Sequence, residues 1–403
     1  MNRKNAIINE TRQWSARNYH PLPVVIERGE GVWVYDTEGR KYLDMLSAYS
    51  ALNQGHRHPR IINALVGQAN LLTLTSRAFY NDKMGFFLKK LCGIAGFEKA
   101  LPMNTGSEAV ETAIKAARKW GHLKKGVPEN QGEIIVCNNN FGGRTISIIS
   151  FSTEKQYRHG FGPYTPGFKT IPFGDAAALE RCITASTVAF IAEPVQGEGG
   201  VIVPPDGYLS KVREITRESN VLLIFDEVQT GLGRTGKMFA FEHENARPDI
   251  LVVGKALGGG CYPVSAILAD NEIMEVFTPG DHGSTFGGNP LAAAVGIASL
   301  EVLEEENLPE RANELGGYFI KALKRIESPC IRDIRGKGLL IGVEIKKECG
   351  TARPYCEKLM ELGILCKETH RQTIRFAPPL VIKKEEIDWA LERIDGVLRK
   401  VLK

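Results

Sequence analysis

Apolar and polar positions alternate from residue 24 to residue 44, through Val32, Val34 and Tyr42, and the alternation breaks at Asp36-Thr37-Glu38-Gly39. Successive side chains of a strand face opposite ways, so this pattern predicts a small β-meander. A helical rhythm follows in LPMNTGSEAVETAIKAARKW. Thr105 and Glu108 have the spacing of a capping box, and apolar residues recur at 110, 113, 114 and 117, which predicts a helix starting at Gly106. Glu111 and Lys115 on it read as a solvated i,i+4 pair. Beyond it, strand-like GEIIVC (132–137), VAFIAEP (188–194), VLLIFDE (221–227) and ILVVGK (250–255) are interleaved with helical stretches such as GYLSKVREITRESN (207–220). Short Ile/Leu/Val runs bounded by turn formers are strands of a buried sheet, so the middle of the chain is expected to be α/β, with a mostly parallel sheet flanked by helices. A Gly-rich loop with Thr285 and Asn289 then runs into an Ala-rich helix. The remainder reads as a separate small domain. It has a helix with apolar positions 312, 315, 319, 322, 323 and 326, strands in GKGLLIGVEI and TIRFAPPL, and a terminal helix with apolar 387, 390, 391, 394, 398 and 401.

Three predicted strands end on polar groups: Glu193, Asp226 and Lys255. Ligands of open α/β sheets bind outside the carboxyl ends of the strands, so the three are expected to share one crevice. Lys255 leaves an apolar strand for glycines 254, 258, 259 and 260, where backbone can approach a ligand closely. A lysine at such a place either snorkels to water or, desolvated, becomes a neutral amine able to condense with an aldehyde cofactor. Asp226 follows four apolar residues and calls for a cationic partner, such as a pyridinium nitrogen. The free N–H groups at Gly106 and Ser107 suit a phosphate, although an ordinary capped helix has the same sequence. Arg375, between Ile374 and Phe376, is either an edge-strand surface residue or a carboxylate clamp.

Composition narrows the function classes. The 403 residues carry a net charge of +4, and basic residues never run beyond pairs, which argues against nucleic acid and polybasic membrane binding. The eight cysteines form no CxxC pair and sit mostly in apolar surroundings, so reduced thiols and a cytoplasmic location are expected. The first residues resemble neither a secretory nor a mitochondrial leader. His56 and His58 lack further ligands nearby, and a satisfied loop pair is expected rather than a metal site. GLGRTG (231–236) fits the dinucleotide pattern GxGxxG, but it neither follows a strand directly nor opens a helix, so a nucleotide role is set aside.

The order NTGSEAVETAIKAAR, FGGRT, AEPVQGEGG, FDEVQTGLGRTG, VGKALGGG, GSTFGGNP and IRFAPPL resembles the class III (ω-) aminotransferases of pyridoxal phosphate fold type I, from Tyr19 to the last helix. The resemblance implies a large cofactor domain at 49–304 with a seven-stranded type of sheet. It also implies a small α+β domain made from both chain ends, 1–48 and 305–403, and a homodimer with shared active sites. Pyridoxal 5'-phosphate is the implied cofactor, with no metal. Carried over by position, Lys255 holds it and shuttles the proton, and Asp226 pairs with its ring nitrogen. Gln229 lies near the ring hydroxyl, Phe141 stacks on the ring, and Gly106 and Ser107 cradle the phosphate with Thr285 of the other subunit. Tyr19 and Arg144 match substrate binders, Tyr49 a tyrosine favouring ornithine, and Glu198 with Arg375 a gate admitting two different substrates. NYHPLPV, SAYSALNQGH, TLTSRAFYN and GFGPYTPGF match members that move the δ-amino group of ornithine to 2-oxoglutarate. Members acting on N-acetylornithine or 4-aminobutyrate are the alternative. Outside the family, a pyridoxal phosphate-binding protein without turnover and an NAD-binding dehydrogenase are set aside, on the intact Lys255 and Asp226 and on the misplaced GLGRTG respectively.

Overall fold

The structure is a computed structural model that describes residues 3–402. Its strands are, in chain order, β1 (Ile26–Glu30), β2 (Trp33–Asp36), β3 (Lys41–Asp44), β4 (Lys99–Met103), β5 (Glu133–Cys137), β6 (Phe168–Ile171), β7 (Thr187–Ala192), β8 (Leu222–Asp226), β9 (Ile250–Val253), β10 (Ser265–Ala269), β11 (Ile331–Lys337), β12 (Leu340–Ile345), β13 (Ile364–Leu365), β14 (Lys367–Thr369) and β15 (Thr373–Phe376). β4 to β10 form one seven-stranded sheet in the order β4-β10-β9-β8-β7-β5-β6. Only β10 runs antiparallel to its neighbours.

Every residue of β7, β8, β9 and β10 is buried. Helices cover both faces of this sheet, which is why these strands read as continuous apolar runs rather than alternations. The helix Gly106–Leu123 lays Ala109, Val110, Ala113, Ala117 and Trp120 on one face. Its start is closed by the expected capping box: Glu108 N–H donates to Thr105 Oγ1 at 3.2 Å, and Thr105 N–H donates to Glu108 Oε2 at 2.7 Å. Such a cap contributes about 1 kcal/mol and, more to the point here, fixes where the free N–H groups of the first turn point.

Two smaller sheets lie outside this layer. The meander β1-β2-β3 gains β13 as a parallel fourth strand, so the two chain ends share a sheet. β11, β12, β15 and β14 form the other, antiparallel throughout, against the helices Leu308–Leu323 and Ala352–Glu361, on which the terminal helix Lys384–Leu398 packs in turn. The terminal helix stops before residue 401, and Val401 is exposed beyond its end.

Two expectations change, and the alternatives for Arg375 are decided. β15 lies between β12 and β14, so Arg375 is on an interior strand and is 1% exposed. Cys330 and Cys349 are joined, with Cα atoms 5.5 Å apart, where reduced thiols were expected; strand and loop bring together two residues that sequence spacing leaves unrelated. Glu111 and Lys115 do not pair: Glu111 accepts from Thr145 Oγ1, and Lys115 reaches His282 Nδ1 at 2.9 Å. Asp226 forms no ion pair among the described residues, so no described side chain supplies the cation expected beside it. His56 Nε2 pairs with Asp44 and His58 Nε2 with Glu306, each at 2.8 Å, while His58 Nδ1 is buried without a partner, and no group of potential metal ligands occurs among the described residues. No described helix is long and apolar enough to cross a membrane.

Candidate active site

β7, β8 and β9 are adjacent and parallel, so their carboxyl ends open on the same side. Glu193, Asp226 and Lys255 meet there in a cavity of about 230 Å3, with Gly106, Ser107, Phe141, Gly142, Gly143, Arg144, Val228 and Gln229 completing its wall. Lys255 sits just past β9 with a positive φ of 43°. That left-handed conformation is rare outside glycine, and it marks a side chain whose direction is set by its surroundings.

Burial governs the charges. It lowers Lys255 towards the neutral amine, against the opposing pull of Glu198 and Asp226. Burial pushes Asp226 up to about 6, while the Val228 N–H at 3.0 Å and the charge of Lys255 act the other way. Glu193 is pushed further, to about 8, first by burial and then by the nearby Asp226 carboxylate. The Phe141 and Gly197 N–H groups hold its two oxygens at 3.0 and 3.1 Å.

A second cluster adjoins the first. Arg375 Nη1 donates to Glu198 Oε1 at 2.6 Å and to Gln229 Oε1 at 3.2 Å, and Gln229 Nε2 donates to the same Glu198 oxygen at 3.2 Å. Burial raises Glu198, but Arg375 and Lys255 together bring it below the usual carboxylate value. The Arg375 guanidinium stands 5.1 Å from the centre of the Tyr49 ring. Arg144 lies over Tyr157 at 3.6 Å and near Phe141 at 5.4 Å. Tyr157 carried no signal in the sequence, since a lone tyrosine in a Lys-Gln-Tyr-Arg turn looks like any surface residue.

Tyr19 and Thr285 stand apart. Tyr19 is 76% exposed on the arm before the meander, close enough to Tyr49 to interact with it electrostatically. Thr285 is exposed in its loop and does not line the cavity.

Whether these residues suit pyridoxal phosphate can be tested on the structure itself. Asp226 is a buried carboxylate with no ion pair among the described residues, its only nearby cation being the lysine itself, which suits a pyridinium nitrogen. Two glycines allow close packing at the phosphate end: a Cβ at Gly143, where φ is +131°, would come within 2.0 Å of Ser107 Oγ, and one at Gly106 within 3.0 Å of Val228. The free N–H groups of the Gly106 helix open on that space. Burial shifts Lys255 towards the neutral amine, the form that condenses with an aldehyde.

Strand-end lysine, strand-end carboxylate and glycine-lined helix start, set on this sheet, define a pyridoxal phosphate-dependent transferase. Residues 14–398 match the family model described as aminotransferase class-III. The chain is 61% identical over 398 residues to an ornithine aminotransferase of Brevibacillus brevis, covering 99% of each. It superposes with a TM-score of 0.98 on the ornithine aminotransferase of Toxoplasma gondii, at 46% identity, over 99% of this chain and 94% of that one; that structure has PLP at partial occupancy in its active site. An acetylornithine aminotransferase of Elizabethkingia anophelis gives a TM-score of 0.90 at 48% identity over 99% of both chains. This chain therefore belongs to the class-III aminotransferases and is a pyridoxal phosphate-dependent enzyme.

Proposed function

We propose that the enzyme is an ornithine δ-aminotransferase, converting L-ornithine and 2-oxoglutarate to glutamate 5-semialdehyde, which cyclises to pyrroline-5-carboxylate, and L-glutamate. The observation that carries this reading is the Glu198–Arg375–Gln229 cluster facing Tyr49, because one cleft must accept two substrates that differ at the reacting end. When bound, the cofactor accepts the amino group and serves as the electron sink for the carbanion. Lys255 would hold it and move the proton at its Nζ, and Asp226 would keep a proton on its ring nitrogen. Phe141 would pack on its ring, Gln229 would lie by its hydroxyl, and Gly106 and Ser107 would receive its phosphate.

Ornithine must present its δ-amine, which leaves its α-amino and α-carboxylate groups at the far end of the cleft for Tyr19 and Arg144. Glutamate presents its α-amine, so its α-carboxylate lies close to the reacting centre and needs a cation there. Arg375 is that cation. While ornithine reacts, Glu198 occupies Arg375 and prevents it from drawing the wrong carboxylate inward. Tyr49 narrows the same space.

The reading carries a homodimer. Leu71, Phe79, Phe86 and Phe286 are exposed, and Tyr80 is 97% exposed, an apolar set suited to burial against a second copy that would bring Thr285 to the partner's phosphate. It also divides the chain into a large domain, 49–304, and a small one from 1–48 and 305–403, and places the product in arginine breakdown or proline synthesis. The acetylornithine aminotransferase likeness favours one second reading, acylated ornithine as donor. A panel of amino donors with 2-oxoglutarate as acceptor tests both. Ornithine is expected to exceed N-acetylornithine and 4-aminobutyrate in kcat/KM by at least tenfold, and a preference for N-acetylornithine would overturn the proposal.

A further inference from the structure

The glycines of the GLGRTG segment (231–236) serve close packing between distant parts of the chain. A Cβ at Gly233 would lie 2.9 Å from the Leu380 side chain, and one at Gly236 3.0 Å from Asn313. The segment is thus pressed against the C-terminal part of the chain, and at its centre is Arg234, 0% exposed. Its guanidinium has no ion pair among the described residues. Nη1 donates to the Leu339 carbonyl at 2.9 Å and the Pro378 carbonyl at 2.6 Å, and Nη2 donates to Asn53 Oδ1 at 2.6 Å and Ser47 Oγ at 3.1 Å. Its hydrogen bonds all go to neutral acceptors, its Nε is buried without a partner, and only the more distant charge of Asp44 favours the cation; a cation so placed is costly, so what its two Nη groups hold together matters more than any stability it adds.

It holds the two sides of the substrate cleft. Ser47, Ala48, Tyr49 and Ser50 have φ values of 46°, 48°, 61° and 70°, four successive non-glycine residues in the left-handed region. Such a run is strained and persists only where its surroundings fix it. Ser47 Oγ, itself held by Arg234, donates to the Ala377 carbonyl at 2.6 Å, and the Ala377 N–H donates to the Met45 carbonyl at 2.7 Å. Asn53, also held by Arg234, donates from Nδ2 to the Leu232 carbonyl at 2.8 Å and accepts at its own carbonyl from Leu380 N–H at 2.8 Å. The strained turn carries Tyr49, and residues 377–380 continue directly from Arg375. One guanidinium therefore ties the Tyr49 turn to the end of the Arg375 strand, and those two side chains face each other at 5.1 Å.

We infer that Arg234 is a positioning residue for substrate choice: by bridging Ser47, Asn53 and Pro378 it sets the spacing of Tyr49 and Arg375, and with it the preference for δ-amino over α-amino transfer. This rests on the reading of Tyr49 and Arg375 as the substrate gate. Lysine at 234 keeps a charge but cannot reach both pairs of acceptors from one nitrogen.

The test uses Arg234→Lys and Ser47→Ala holoenzymes, compared with Tyr49→Phe and Arg375→Ala. For each, kcat/KM is measured for ornithine and for glutamate in separate half-reactions, with the visible absorbance of the bound cofactor and the melting temperature as controls. Arg234→Lys and Ser47→Ala are expected to keep the cofactor absorbance and to lose at least tenfold in the ornithine-to-glutamate ratio, through KM for ornithine more than through kcat. A lowered melting temperature with the ratio within twofold of wild type in both would reduce Arg234 to a structural role and overturn the inference. If Arg234→Lys does not fold, Ser47→Ala decides alone by the same ratio. An unchanged ratio in Tyr49→Phe and Arg375→Ala would remove the gate and this inference together, whereas a changed ratio there and not at 234 or 47 would remove this inference only.

Discussion

Arg375 and Glu198 lie 2.6 Å apart at their closest atoms, with the guanidinium almost wholly buried on an interior strand and the carboxylate shared with Gln229. A charge pair in so dry a place can shift a binding preference by a few kcal/mol, about tenfold for each 1.4 kcal/mol. Removing either partner leaves the other buried and unpaired, so the two single variants are expected to act in opposite directions. Glu198→Ala frees Arg375 and should raise α-amino transfer from glutamate relative to δ-transfer from ornithine. Arg375→Ala should damage the 2-oxoglutarate half-reaction more than the ornithine one, by roughly tenfold or more. Pre-steady-state rates of the two half-reactions check both, and equal losses in each half for Arg375→Ala would leave that arginine a structural residue of its strand.

Borohydride treatment of the purified holoenzyme should fix the cofactor on Lys255 and abolish its visible absorbance in the bound form. Peptide mapping locates the reduced adduct. Lys255→Ala should lose turnover by several orders of magnitude while retaining some cofactor at the Gly106–Ser107 end, since the phosphate contacts are separate from the amine. An adduct on any other lysine would contradict the assignment.

Asp226→Asn preserves shape and removes charge. The chemical step should slow by roughly 10²–10³ or more, the scale on which a principal electrostatic contributor acts. Folding should survive, because burial already disfavours the charged form of Asp226. Single-turnover rates near those of wild type would argue against its pairing with the ring nitrogen.

Glu193 gives a pH prediction for the cofactor-free protein. Its ordinary value of 4.5 rises to about 8 in the fold, chiefly through burial. Between those limits the folded state keeps a proton that the unfolded chain has released, so this group's contribution to stability is full below about pH 4.5 and declines as pH rises through about 8. The slope is on the order of 1.4 kcal/mol per pH unit across the window. Glu193→Gln cannot titrate, so its melting temperature relative to wild type should climb steadily from pH 5 to pH 8 and then level off. A difference that stays constant over that range would show that Glu193 is already ionised in the folded protein.

Much of this was written along the chain. The runs around Leu251–Val253 and Leu222–Phe225 are apolar without alternation because both faces of those strands are covered, so the parallel sheet and the placement of Asp226 and Lys255 at its rim follow from local pattern. The Thr105–Glu108 cap is equally local, since both bonds lie within four residues. What pattern could not decide is which distant elements meet. Arg375 has the same neighbours in sequence on an edge strand as on an interior one, and only the pairing of β15 with both β12 and β14 buries it against Glu198. The grip of Arg234 on Ser47, Asn53, Leu339 and Pro378 likewise depends on chain crossings, while the joining of Cys330 to Cys349 and the stacking of Arg144 on Tyr157 depend on how nearer segments fold back. Periodicity and capping are set by interactions a few residues apart and are therefore carried by the sequence itself. The partner of a buried charge is chosen by packing between segments more than a hundred residues apart, and that choice exists only in the folded chain.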